Sequence, residues 1–285
     1  MKNNNNRTYN FTEYKDKIDE LIENKNINKL KLQDDYFDIC GNYWIVDKYI
    51  ASDGVFKDDL TPNTLATYDQ AIKNKYAITI PVQMLDDGSI VCFSHRNISK
   101  VVPTASGYLK TMTLSQVKEI KLNDNGDTIP TLEEALNHIA NRTEIIIEII
   151  NDGMVDKFET KVTTLISKYI AENDCYNSVA VMSINPYTLE FFYKNYPYLT
   201  RILKSGAFNE KMYGSFKTKK LKKLKYYKIT QADFIAYSYN LLPAVAVEKH
   251  KPVGTLAYTI TNQQQYMSTA EHCDNIIFKN FEPKI

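Results

Sequence analysis

The side chains best able to move a proton near neutral pH are the four histidines, His95, His138, His250 and His272. They stand far apart with no metal-ligand spacing, and His138, His250 and His272 read as surface or hydrogen-bonded residues. Ser52 and Ser94 offer hydroxyls, but a serine nucleophile needs a base within hydrogen-bond reach. No histidine is placed beside either, so both read as structural hydroxyls. Glu148 sits at the end of the apolar run Ile145-Ile146-Ile147. An acid at a strand end is either a metal ligand or a hydrogen-bonded structural group, and without partner carboxylates the structural reading is favoured. Asp86-Asp87-Gly88 is explained by turn chemistry rather than by a cation loop. Cys40, Cys92, Cys175 and Cys273 are widely separated, which predicts free, mostly buried thiols in a reducing compartment.

The elements that would position such groups follow a regular rhythm. Short β-branched or aromatic runs predict strands at 48–52, 77–82, 89–94, 144–150, 177–183, 199–204, 232–237, 252–259 and 274–278. Amphipathic windows predict helices at 64–75, 113–120, 131–140, 155–172, 186–195 and 262–271. Such alternation implies a parallel sheet. At 285 residues a closed eight-stranded barrel fits better than an open doubly wound sheet, and no glycine-rich dinucleotide turn is present. One strand is in excess, and Asp86-Asp87-Gly88 predicts that 77–82 and 89–94 form a hairpin. Residues 95–128 break the rhythm as an insertion. Thr131 with Glu134 has capping-box spacing, and Pro130 precedes it.

Residues 1–43 read as a polar extension, disordered over the first ten or so, with a short amphipathic helix at 11–25. The barrel spans 44–285. Met1 to Arg7 is Asn-rich with no apolar core after it, and no apolar run approaches the roughly 18 residues of a membrane span. A cytoplasmic protein is expected. The net charge of +1 gives no field that would select nucleic acid. The run Lys217–Lys228 carries seven lysines around Leu221 and Leu224. It reads first as a solvated helix face and second as a weak contact for anionic membrane.

Segments along the chain resemble the bacterial glycerophosphodiester phosphodiesterases, over about 42–283. They are Ile50-Ala51-Ser52-Asp53-Gly54, Asn63-Thr64-Leu65, Ala77 to Gly88, Ile129 to Glu134, Ile147-Glu148-Ile149, Ser183-Ile184-Asn185-Pro186, Tyr258-Thr259-Ile260 and Asp274 to Phe278. The resemblance implies a TIM (β/α)8 barrel of the phospholipase-C-like phosphodiesterase type, with the small insertion and the N-terminal helical extension added. It also implies hydrolysis of glycerophosphodiesters to glycerol 3-phosphate and an alcohol. Two histidines, an arginine, a lysine and a divalent metal on three carboxylates would serve that reaction.

Carried over by position, the first histidine falls on Ser52 and its neighbouring arginine on Asp53. The glutamate of the next motif falls on Pro62. Two metal carboxylates fall on Thr79 and Pro81, and the second histidine on Ser94, with His95 one residue beyond. The third metal carboxylate is kept as Glu148, and the phosphate lysine is Ile150. Strand side chains alternate faces, so an offset of one residue turns His95 away from that column. Thr79, Pro81, Ile150 and Ser183 become candidate ligand-binding positions.

Hard cations take several oxygen ligands, and Glu148 alone is a poor site. The resemblance therefore implies a catalytically silent barrel that binds an unidentified small molecule or protein and needs no cofactor. The alternative is a rebuilt phosphoric diester hydrolase using Mg²⁺ or Ca²⁺, centred on His95, Glu148 and Asp53. A third reading is a surface-associated role through the lysine run, with the barrel as a passive carrier.

Overall fold

The computed structural model describes residues 44–55, 60–206, 214–251 and 253–284. The helix expected over 11–25, the polar residues before it and Cys40 lie outside the described residues. The strands are β1 (Ile50–Ser52), β2 (Ala77–Met84), β3 (Ile90–Cys92), β4 (Ile145–Ile149), β5 (Val179–Ser183), β6 (Thr200–Ser205), β7 (Phe234–Ser238), β8 (Gly254–Ile260) and β9 (Asn275–Phe278). All except β3 run parallel, and β1 pairs with both β9 and β2, which closes an eight-stranded TIM barrel. β3 pairs antiparallel with β2. Its turn is closed by Leu85 N–H to the Ser89 carbonyl, 2.8 Å, and Gly88 N–H to the Leu85 carbonyl, 3.0 Å. This accounts for the ninth strand.

Both faces of the strands are buried, which is why they read as unbroken apolar runs. Side chains nonetheless alternate. Ile50, Ala77, Ile146, Met182, Ile202, Ala236 and Leu256 fill the barrel, while Ile78, Ile147, Val181, Leu203, Ile235 and Ala257 face the helices. The helices are α1 (Trp44–Asp47), α2 (Leu65–Lys73), α3 (Leu114–Glu119), α4 (Leu132–Ile139), α5 (Lys157–Asn173), α6 (Pro186–Asn195), α7 (Ser215–Lys222), α8 (Tyr227–Thr230), α9 (Val245–Glu248) and α10 (Gln263–Thr269). α1 packs Trp44 and Ile45 on the barrel's inner cluster, and the indole donates to the Asn177 carbonyl ahead of β5, 2.8 Å. This seals the end of the barrel opposite the C-terminal strand ends.

Thr131 and Glu134 form the expected reciprocal cap at α4, 3.1 and 2.8 Å. Residues 95–128 hold α3 and short 3₁₀ turns. Ile98, Leu109, Val117 and Ile129 join Leu85, Val91 and Phe93 in a separate apolar cluster. The lysine run is not one helix. Leu224 takes a left-handed φ of 51° between α7 and α8, Leu221 and Leu224 are buried, and Lys217, Lys219, Lys223, Lys225 and Lys228 are exposed. Among the described residues no helix is long and apolar enough to cross a membrane.

Candidate functional site

In a parallel barrel the C-terminal strand ends carry the functional groups. Continuing the inward parity up each strand brings Ser52, Thr79, Pro81, Glu148, Lys204 and Tyr258 to this mouth. Pro81 pairs in register with Glu148, and Thr79 stands beside Ser52. The positions singled out on β1, β2 and β4 therefore share one end of the barrel.

Glu148 does not stand alone there. The Lys204 ammonium, from β6, donates to Glu148 Oε1 at 2.6 Å, and the two side chains are 18% and 12% exposed. The same Nζ lies 4.8 Å from the centre of the Tyr258 ring, a cation–π contact from β8. The Tyr258 hydroxyl donates to the Ser205 carbonyl, 2.7 Å, which holds the ring. Three strands thus converge on one nearly buried carboxylate.

Across the mouth, Lys279 follows β9 and donates to Asp53 Oδ2 at 2.9 Å. Asp53 follows β1 with a φ of 64°, a left-handed conformation that Asp tolerates. Gly54 comes next at φ 84°, where a β-carbon would lie 2.6 Å from Thr67 Oγ1 and 2.9 Å from the Thr67 carbonyl carbon. Only glycine lets α2 approach this turn so closely. The Asp53 amide donates to the Thr79 carbonyl at 3.2 Å and to the Thr79 hydroxyl oxygen at 3.3 Å. Thr79 is thereby tied to the backbone that carries Asp53.

Ser94 and His95 follow β3 outside regular secondary structure, with a bend at Ser94. The Gln83 amide donates to the carbonyls of Phe93, 2.7 Å, and His95, 2.9 Å, and pins this segment over the end of β2. The His95 imidazole is on the exposed rim, edge-on to Phe93. Partial burial and the Lys279 ammonium hold its pKa below the ordinary value, with Asp53 pulling the other way. His95 is therefore electrostatically part of the Asp53–Lys279 corner. The other histidines lie elsewhere: His138 Nε2 is 3.0 Å from Asp69 Oδ1, His250 stacks on Tyr227, and His272 is exposed.

A cleft opens from Glu148 outward between the ends of β4 and β5. Ile150, Ser183, Tyr187, Lys217, Leu221 and Tyr226 are among the residues that line it. Ile150 forms an apolar wall. Ser183 has the outward parity, and its hydroxyl donates to the Ile149 carbonyl, 2.8 Å, and accepts from Asn185 N–H, 3.1 Å. At the rim Arg96 Nε lies 3.0 Å from Asp152 Oδ2. One wall rests on Glu159, which is fully buried. Its carboxylate accepts from Asn151 Nδ2, 2.7 Å, Thr188 Oγ1, 2.6 Å, and Asp156 N–H, 3.0 Å. Among the described residues no group of three or more His, Cys, Asp or Glu side chains could hold a metal ion.

Lys204, Lys279 and Glu159 escaped the sequence reading. Lys204 carried a usable signal: in Arg201-Ile202-Leu203-Lys204 it is a charge at the parity of the inward Ile202. For Glu159, the spacing Asp156-x-x-Glu159 is that of a helix cap.

Comparisons with known proteins agree with this architecture. The model of the glycerophosphoryl diester phosphodiesterase family matches residues 56–277. An Oleispira antarctica phosphodiesterase, solved with its product sn-glycerol-3-phosphate, superposes with a TM-score of 0.66 at 17% identity, covering 84% of this chain and 94% of that one. Glycerophosphodiester phosphodiesterases from Thermotoga maritima (TM-score 0.60, 17% identity, 81% and 93% covered) and Agrobacterium tumefaciens (0.60, 14%, 82% and 96%) share the fold. Among curated proteins, none matches the chain. The closed parallel barrel and a family match that spans most of its length place this chain in the glycerophosphoryl diester phosphodiesterase family.

Proposed function

We propose that this chain is a catalytically silent member of the family, serving as a ligand-binding or interaction module at its barrel mouth. The observation that carries the reading is the donor set. Glu148 has Pro81 opposite it in register, with Thr79 two residues below, and Lys204 bonded to it. A hard divalent cation prefers several oxygen ligands, usually with more than one carboxylate. One neutral hydroxyl, a proline ring and an ammonium do not make up that set. Asp53, where the resemblance implies an arginine, is matched by Lys279, so the pair brings no net positive charge to a phosphodiester, and Ile150 offers no donor to its oxygens.

The test is hydrolysis of glycerophosphocholine and of an aryl phosphodiester by the purified full chain, with Mg²⁺, Ca²⁺ and Mn²⁺ each in excess. The expected result is no turnover above a matched blank. Metal-dependent turnover abolished by chelation would overturn the proposal.

A second reading draws support from one observation, the exposed imidazole of His95 on a segment anchored at the mouth by the Gln83 amide. It makes the Asp53–Lys279 corner a rebuilt acid–base site of a phosphoric diester hydrolase. Loss of any detected turnover in His95→Ala and in Glu148→Ala would favour it, and an unchanged rate in both variants would end it.

A further inference from the structure

We infer that Lys204 is a built-in counter-cation for Glu148, which takes the place of a divalent ion and closes this position to one. A carboxylate with only 12% of its side chain exposed is costly unless a cation faces it. Here the cation is covalently part of the chain, 2.6 Å from Oε1. It is held from its other side by the Tyr258 ring, itself fixed through the Ser205 carbonyl. An ammonium on a tether is always present, whereas a free ion depends on its concentration. A divalent ion seeking Glu148 would have to displace Lys204 from both the carboxylate and the ring. It would then find Thr79 and Pro81 where further ligands are needed. Glu148, Lys204 and Tyr258 thus form a structural unit that joins β4, β6 and β8 across the barrel.

This inference shares an observation with the proposed silence but is separable from it. Metal binding without turnover would overturn the inference alone. Metal-free turnover would overturn the proposed silence alone.

The experiment follows thermal unfolding of the full chain in chelator and in millimolar Ca²⁺, Mg²⁺ and Mn²⁺, alongside Glu148→Gln, Lys204→Met and the double variant. The expected midpoint of the unaltered protein is the same in all four solutions. Each single variant lowers it by several degrees, and the double variant recovers most of the loss because neither charge is then left unmatched. A rise in the unaltered protein's midpoint with Mn²⁺ or Ca²⁺ that disappears in Glu148→Gln would overturn the inference. So would single-variant losses that add in the double variant. If Lys204→Met fails to fold, the metal titrations of the unaltered protein and of the near-isosteric Glu148→Gln decide the matter.

Discussion

Lys279 and Asp53 lie 226 positions apart in sequence and 2.9 Å apart in space, joining the exit of the last strand to the exit of the first. They stand at the seam where β9 meets β1 and the sheet becomes a barrel. Asp53 is nearly buried (its side chain is 7% exposed), while Lys279 is 30% exposed, so the carboxylate depends on the ammonium more than the reverse. Lys279→Met is therefore expected to cost about 2 kcal/mol, below the range for a fully buried pair because the lysine is partly solvated. Asp53→Asn in the same background is expected to return part of that loss. Urea denaturation of the two singles and the double checks both statements.

Partial burial lowers the pKa of His95, and the same corner modulates it, Lys279 downward and Asp53 upward. Its folded pKa lies below the ordinary imidazole value, so the unfolded chain takes up the proton first as pH falls. The contribution to stability is intact above the unfolded pKa near 6.5 and is lost as pH drops from there towards the folded value. Lys279→Met is expected to raise the His95 pKa, and Asp53→Asn to lower it further, since these groups act in opposite directions. Proton NMR of the imidazole ring across pH 4–8 reads this directly, and identical titration curves in both variants would contradict the assignment.

Glu159 is the acid whose removal should hurt the fold most. Glu159→Ala strands the buried Thr188 hydroxyl and removes an acceptor from the half-buried Asn151 amide and the Asp156 N–H. About 3 kcal/mol is expected from the unmet donors. Glu159→Gln keeps one oxygen and should lose less. Thermal unfolding ranks them, and equal midpoints for the alanine variant and the parent would refute the role given to this group.

The described thiols should be inert in the native state. Burial pushes Cys92 and Cys175 up to about 12 and Cys273 to about 11. Only the thiolate reacts at a useful rate. Labelling with an aromatic disulfide, followed by peptide mapping, is expected to modify Cys92 and Cys175 only on unfolding. Rapid native modification of Cys92 would show that its cover opens.

The strands were legible because each is a short apolar run ended by turn residues, and β3 because Asp86-Asp87-Gly88 sits between two of them. α7 was harder to place as a separate helix. Its buried face offers Leu221 within a field of lysines, too thin a pattern to mark where the helix stops. The mouth was half legible. Ser52, Thr79, Pro81 and Glu148 could be placed on strand ends from local pattern and resemblance. Their partners could not, because Lys204 comes from 56 residues beyond Glu148 and Lys279 from 226 beyond Asp53. Closure of a barrel creates such neighbours, and no short window of sequence contains both members of a pair.

The Gln83 clamp has a bearing on how this barrel could change. One amide grips the carbonyls of Phe93 and His95, so the chain on both sides of Ser94 is fastened before any side chain there is chosen. A new group installed at 94 would inherit that anchorage. The ordering it still had to undergo would be confined to its own rotamers, the smaller share of the entropy that fixing a residue requires.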